Sequence, residues 1–139
     1  MPSLNQLTLW TTQHPCSMCA AAIAFVGIGE VWFIADDPSD HSSHDLILAS
    51  HGSVPYRSLG DPLWWTVSNL LFLYNSAVLE GERARNIEQN RDRYTELVSL
   101  TLEFARIDTL GASARSGTAL PVALASHLPQ LEHVAGRVP

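Results

Sequence analysis

The sequence contains no lysine, and all eight of its basic residues are arginine. Charged residues occupy 16% of the 139 positions, well below the roughly one quarter that is typical of soluble domains. The formal net charge is −6, and Arg57 is the only cation in the first 61 positions. The excess of acidic residues argues against binding of a nucleic-acid backbone by that half of the chain. The low content of charged residues favours a surface that is partly covered by a partner.

Cysteine is also scarce, since Cys16 and Cys19 are the only two in the chain. Two cysteines in one short motif cannot form a disulfide framework, which favours a reducing compartment such as the cytoplasm. The first residues lack a basic region followed by a long apolar run, so we expect no signal peptide. The apolar segment at 63–74 is short and interrupted by polar residues, so we expect no contact with a membrane.

Apolar residues, in contrast, occupy 46% of the chain, enough for a folded core at this length. Residues 7–12 alternate in the manner of a β-strand, and Pro15 then favours a first helical turn. The spacing of three places the thiols of Cys16 and Cys19 on one face of that turn, where the helix dipole favours thiolates. Two thiolates supply half of a tetrahedral zinc site.

The stretch from Leu7 to Pro38 resembles part of the zinc-dependent cytidine and deoxycytidylate deaminase superfamily, which includes tRNA-adenosine deaminases. The zinc signature of that superfamily has the form H-x-E…P-C-x-x-C. The likeness covers the P-C-x-x-C motif, the small residues at 20–26, the strand at 30–35 and the turn at 36–38. The resemblance implies an α/β fold of the α/β/α sandwich type, in which strand, helix and next strand form one crossover unit.

The resemblance also implies a chemistry with zinc as cofactor. In the superfamily, zinc lowers the pKa of a bound water, the resulting hydroxide attacks an amino-bearing ring carbon, and a glutamate shuttles protons. The expected substrate is therefore a nucleoside or a base, and the expected metal ligands here are Cys16 and Cys19.

The H-x-E half of the signature, which carries the third ligand and the glutamate, is not found in this sequence. None of the six histidines and neither cysteine has a glutamate two positions later. Fourteen residues precede Pro15, which is too few for the missing elements. We therefore expect a deaminase-like core that lacks the N-terminal strands and first helix and carries a helical C-terminal extension.

Four other residues are candidates for contact with metal or substrate: His14, Asp36, His41 and His44. His14 precedes Pro15, and the alternative is a turn residue beside the site. Asp36 and the two later histidines belong to a polar loop that leaves the carboxyl end of a strand, where ligands usually bind. The alternative for this loop is a solvated connection without function.

The rest of the chain predicts mainly helices. We expect a short strand at 45–50, an apolar helix at 61–79, a second helix at 82–107, and a short terminal helix within 119–138. The apolar helix belongs either to the core or to a subunit interface. A linker is expected after Gly111, which gives a deaminase-like domain over 1–110 and a terminal segment over 111–139.

Four arginines cluster at the start of the second helix: Arg83, Arg85, Arg91 and Arg93. A contact with RNA is one interpretation. Acidic residues alternate with these arginines, which favours a solvent-exposed face laced with salt bridges.

Three hypotheses about function remain open. The chain is part of a zinc deaminase whose H-x-E half lies outside it or on a partner, or a catalytically inactive zinc-stabilised binding subunit, or a thiol–disulfide oxidoreductase. The last would use Cys16 and Cys19 as a redox couple and needs a cis-proline, for which Pro55 is the candidate. Without the family's first strands, the strand at 7–12 exposes an edge, so we expect a homo-oligomer or a partner chain.

Overall fold

The computed structural model describes residues 4–36 and 54–138. The chain groups into two compact units, Met1–Asp61 and Pro62–Pro139, whereas the sequence placed a boundary at residue 110. Within the described ranges there are three parallel strands and seven α-helices, which confirms the α/β class. The deaminase-like sandwich remains a prediction.

The first unit contains a small parallel sheet. Its elements are a 3₁₀ turn at Leu4–Gln6, β1 at Thr8–Gln13, α1 at Ser17–Val26, β2 at Glu30–Ala35 and β3 at Tyr56–Ser58. The strand order is β1-β2-β3. Since β1, α1 and β2 follow one another and the two strands are parallel, the predicted strand–helix–strand unit is confirmed. The strand expected at 45–50 lies outside the described residues, and the sequence did not predict β3.

Local sequence explains where α1 ends. Gly27 adopts a left-handed conformation with φ of 76°, and its N–H donates to the carbonyl of Ile23 at 3.1 Å. The N–H of Ile28 donates to the same carbonyl at 3.2 Å, so the last turn is closed by a glycine cap. Ala20 and Ile23 are the buried residues of this helix.

Strand β2 forms the buried centre of the sheet. Val31, Phe33 and Ala35 are buried, while the residues between them are half-buried. This alternation follows from the pleat, which points successive side chains to opposite faces. The other face of the sheet carries Trp10 and Trp32, whose rings stack on one another.

The second unit is helical. Its elements are α2 at Pro62–Glu80, a 3₁₀ turn at Gly81–Arg83, α3 at Arg85–Asn90, α4 at Thr95–Arg106, α5 at Thr109–Arg115, α6 at Leu120–Ala125 and α7 at Leu128–Ala135. The core lies where α2 packs against α4 and α7, and it includes Leu70, Leu73, Phe104 and Leu131. Of the two interpretations of the apolar helix, core burial therefore applies to one face of α2. Trp64 and Leu79 of the same helix remain exposed.

The single helix predicted at 82–107 is wrong, because the chain there forms two helices. Tyr94, with φ of −131° and ψ of 53°, is non-helical and precedes α4. Asn90 ends α3, and its side chain donates to the carbonyl of Asn86 at 2.7 Å. At the start of this region Arg91 pairs with Glu82 at 3.4 Å, so one of the predicted salt bridges is present.

The last part of the chain also differs from expectation. Residues 109–115 form α5 where an irregular linker was predicted after Gly111, and the terminal segment contains two short helices instead of one. In α5 the residue before the helix, Asp108, pairs with Arg115. None of the helices within 4–36 and 54–138 has the length and hydropathy needed to cross a bilayer.

Candidate metal centre

The two thiols lie together at the start of α1. Cys16 is the N-cap of the helix and has an extended backbone, and its carbonyl accepts a hydrogen bond from Ala20 N–H at 2.9 Å. Cys19 is the third helical residue and is exposed. The Sγ atoms of the two residues are hydrogen-bonded at 3.4 Å, as the spacing predicted. Pro15 precedes the cap instead of opening the helix.

The distance between the sulfurs can be compared with what zinc requires. Zn–S bonds of about 2.3 Å at a tetrahedral angle place two sulfurs about 3.8 Å apart. The observed 3.4 Å needs an opening of only about 0.4 Å, which small side-chain rotations provide. A disulfide at about 2.05 Å requires the pair to close by more than 1 Å. The pair therefore fits two corners of a zinc tetrahedron.

The proximity of the thiols changes how they lose protons. The hydrogen bond with Cys16, and next the negative charge of the Cys16 thiolate, raise the pKa of the Cys19 thiol above its ordinary value. The helix N-terminus is expected to favour thiolate at both positions, and at Cys19 the hydrogen bond and the charge of Cys16 act in the opposite direction. A dication that binds both sulfurs therefore has to displace protons from the pair.

His14 is buried beside the pair, with 8% of its surface exposed. Its backbone N–H donates to the carbonyl of Ala35 at 2.8 Å, which ties the ends of β1 and β2 together. Its ring meets Phe33 edge-on at 4.7 Å between centroids, and lies 5.5 Å from the ring of Tyr56. The structure thus places His14 in an aromatic setting next to the P-C-x-x-C turn.

Tyr56, the first residue of β3, is a member of the site that the sequence did not predict. Its hydroxyl is buried, and no hydrogen-bond partner for it occurs in the described part of the chain. Burial, and next the charge of the Cys19 thiolate, raise the pKa of this phenol. The only available signal was an aromatic residue directly after Pro55, which was too short a pattern to predict a strand.

Of the remaining candidates, the structure describes Asp36 alone. Asp36 follows β2 and is exposed, while His41 and His44 lie outside the described residues. Within the ranges that the structure describes, no group of three or more His, Cys, Asp or Glu side chains is arranged to hold a metal ion. Cys16 and Cys19 are thus the pair of donors that this part of the chain brings together.

Comparison with known proteins gives no significant match to a family model, to a curated protein or to a solved structure. The likeness to the zinc deaminases accordingly rests on the residues of the P-C-x-x-C unit.

Proposed function

We propose that this chain is the zinc-binding part of a hydrolytic deaminase that acts on a nucleoside or a base. The observation that carries the proposal is the pair of thiols 3.4 Å apart on the first turn of a helix that follows a parallel strand. Cys16 and Cys19 would hold zinc as two of its ligands. A zinc ion bound there would supply Lewis acidity to the reaction.

The residues of the chain have distinct roles in this proposal. The extended backbone of Cys16 and the helical backbone of Cys19 direct both sulfurs to one point at the helix N-terminus. His14, whose backbone N–H is bound to Ala35 and whose ring contacts Phe33, would anchor the end of β1 beside the cysteines. Tyr56 presents a hydroxyl near Cys19 and is available to donate a hydrogen bond to a thiolate.

The third ligand and the proton-shuttling carboxylate would come from outside these 139 residues. General acid–base assistance typically contributes on the order of 10²–10⁴ in rate. We therefore expect that the chain by itself binds zinc weakly and shows no appreciable deamination. The sequence also favours a second function, that of an inactive zinc-stabilised binding subunit, because no H-x-E occurs anywhere in it.

The redox alternative is less well supported. A thiol–disulfide couple of the thioredoxin type needs a cis-proline opposite the cysteines, and the Val54–Pro55 bond is trans. No cis peptide bond is found in the two described ranges.

The first experiment measures bound zinc by elemental analysis of protein purified without chelators. We expect zinc in the wild type and in the control Ser17→Ala, which lies between the cysteines, and little in Cys16→Ser or Cys19→Ser. Equal zinc in all four proteins would overturn the proposal. A reversible Cys16–Cys19 disulfide in a metal-free protein would instead establish the redox alternative.

The second experiment separates the enzyme from the binding subunit. Ammonia release is measured with cytosine, cytidine, adenosine and guanine, with Cys19→Ala as the blank, and binding of the same four compounds is measured by calorimetry. Binding without turnover is expected for the chain alone. Turnover that disappears in Cys19→Ala would show that the chain supplies its own acid–base group. Absence of binding by the zinc-loaded chain would count against both functions.

A further inference from the structure

The hydroxyl of Tyr56 is a hydrogen-bond donor whose oxygen is buried, and it has no acceptor among residues 4–36 and 54–138. A buried polar group without a partner is costly. Such groups are rare in native proteins, and a functional role or an ion often accounts for them. The backbone of this residue is well anchored, because Tyr56 pairs with Val31 in the ladder between β3 and β2. The side chain is therefore held in place, while its donor lacks an acceptor.

The side chain of Tyr56 leans along the sheet toward the carboxyl ends of the strands. Its backbone lies level with Val31, and the ring of His14 lies against Phe33, which is two residues further along β2. Two residues of a strand span about 6.6 Å. The ring of Tyr56 nevertheless comes within 5.5 Å of the ring of His14. The hydroxyl, at the far end of the ring, thus points to the end of the sheet where the P-C-x-x-C turn begins.

Cys19 is the thiol that lies near this hydroxyl. After burial, the negative charge of the Cys19 thiolate is the second cause that raises the pKa of the Tyr56 phenol, so the two groups are close enough to interact. In the metal-free pair the sulfur of Cys19 is bound to that of Cys16 at 3.4 Å. The hydroxyl of Tyr56 and the thiol pair are thus neighbours between which no hydrogen bond is formed in the thiol state.

Metal binding changes what the sulfur of Cys19 can accept. Both cysteines bind a dication as thiolates, so the hydrogen bond that joins the two thiols is lost and each sulfur carries negative charge. A thiolate accepts charge-assisted hydrogen bonds, and donors behind a metal ligand orient that ligand. The buried hydroxyl of Tyr56 is a donor for which the metal-free structure offers no acceptor in its described part. The metal-bound state supplies the acceptor that this donor lacks.

We propose that Tyr56 is a positioning residue of the metal site and donates its O–H to Sγ of Cys19 when that sulfur is bound to zinc. Cys19 is exposed, so few contacts fix its side chain, and the hydrogen bond would hold the sulfur in one position. Tyr56 acts through Cys19 and does not touch the substrate. It has this role only if Cys19 is a zinc ligand, so the inference rests on the proposed function.

The test titrates the wild type and Tyr56→Phe with zinc and with cobalt(II), whose sulfur-to-metal charge-transfer band reports on the thiolates. We expect Tyr56→Phe to bind zinc about tenfold more weakly or worse, and its cobalt band to move to lower energy because the thiolate has lost a donor. The metal-free variant should be no less stable than the wild type. The control is Tyr74→Phe, whose hydroxyl accepts a hydrogen bond from Gly111 N–H in the helical unit. It should keep the metal affinity and the band of the wild type.

The outcomes separate this inference from the proposed function. If Tyr56→Phe had the metal affinity and the cobalt band of the wild type, the inference would be overturned and the zinc site would stand. Weaker binding with an unshifted band, or with an equal loss of stability in the metal-free protein, would also overturn it, since neither result requires a bond to the thiolate. A wild type that binds neither metal would overturn the proposed function, and this inference with it.

Discussion

The imidazole of His14 meets the ring of Phe33 edge-on, with 4.7 Å between centroids and 84° between planes. This contact fixes the end of β1 against β2 immediately before the two cysteines. Since the backbone N–H of His14 is also bound to Ala35, the P-C-x-x-C turn starts from a well-defined position. The residue before the P-C-x-x-C turn is therefore anchored to the sheet, which favours the fixed position that a metal site needs.

The affinity for zinc should rise with pH. Zinc has to displace the protons of both thiols, so the affinity should increase by up to about a hundredfold per pH unit while both are protonated. Because Cys16 raises the pKa of Cys19, the rise should continue beyond the pH at which a lone thiol levels off. Competition with a chromophoric chelator at several pH values measures this, and Cys16→Ser should reduce the slope to about tenfold per unit.

The stability of the metal-free protein should have the opposite dependence on pH. A thiol whose folded-state pKa is raised contributes stability below its unfolded pKa and loses that contribution as the pH rises through the folded value. Metal-free protein should therefore lose a little stability at alkaline pH, whereas zinc-loaded protein gains. Denaturant titrations at several pH values, with and without added zinc, measure the free energy of unfolding of the two forms. The same dependence on pH in both forms would contradict the assignment of Cys19 as a ligand.

Removal of the hydroxyl should affect the free energy of unfolding differently at two tyrosines, Tyr56 and Tyr74. The Tyr56 hydroxyl is buried without a hydrogen-bond partner among the described residues, so Tyr56→Phe should leave the free energy of unfolding unchanged or raise it by up to about 1 kcal/mol. The Tyr74 hydroxyl accepts a hydrogen bond from Gly111 N–H at 3.3 Å. Because this bond is lost in Tyr74→Phe, that variant should have a free energy of unfolding lower by about 1 kcal/mol. Chemical denaturation compares the two, and a marked loss in Tyr56→Phe would reveal a partner for its hydroxyl.

The helical core should depend on one face of α2. Leu70 is fully buried, and Leu70→Ala should lower the free energy of unfolding by about 2–5 kcal/mol because it removes contacts and leaves a cavity. Leu79 of the same helix is 72% exposed, and Leu79→Ala should change stability by no more than about 0.5 kcal/mol. Far-ultraviolet circular dichroism in denaturant is the measurement. Similar losses in both variants would mean that Leu79 is covered in solution.

Two glycines around the start of β2 should differ in their tolerance of a methyl group. A Cβ at Gly29 would collide with the backbone carbonyl of Asn5, so Gly29→Ala should cost about 2–3 kcal/mol. A Cβ at Gly27 would contact nothing, and only its left-handed backbone opposes Gly27→Ala, at about 1 kcal/mol. Thermal unfolding of the two variants measures this difference. Equal losses of stability would mean that the carbonyl of Asn5 does not lie against Gly29.

The sequence by itself determined the elements that depend on near neighbours. The alternation in β1 and β2, the glycine that ends α1 and the spacing of three between Cys16 and Cys19 act over a few residues. Strand, helix and adjacent thiols therefore followed from local geometry alone. The same reasoning located α2, whose apolar length and Asp61-Pro62 start are local features.

Only the tertiary structure decided which distant residues surround the thiols and where the longer helical stretch breaks. Tyr56 reaches His14 because three residues of β3 pair with β2, and so short a strand is stabilised by its neighbour and not by its own pattern. The division between α3 and α4 likewise appears in the tertiary structure alone, where the non-helical Tyr94 separates two helices that both contribute to one core, through Ile87 and Leu97. Burial against partners far along the chain outweighed local propensity at these positions.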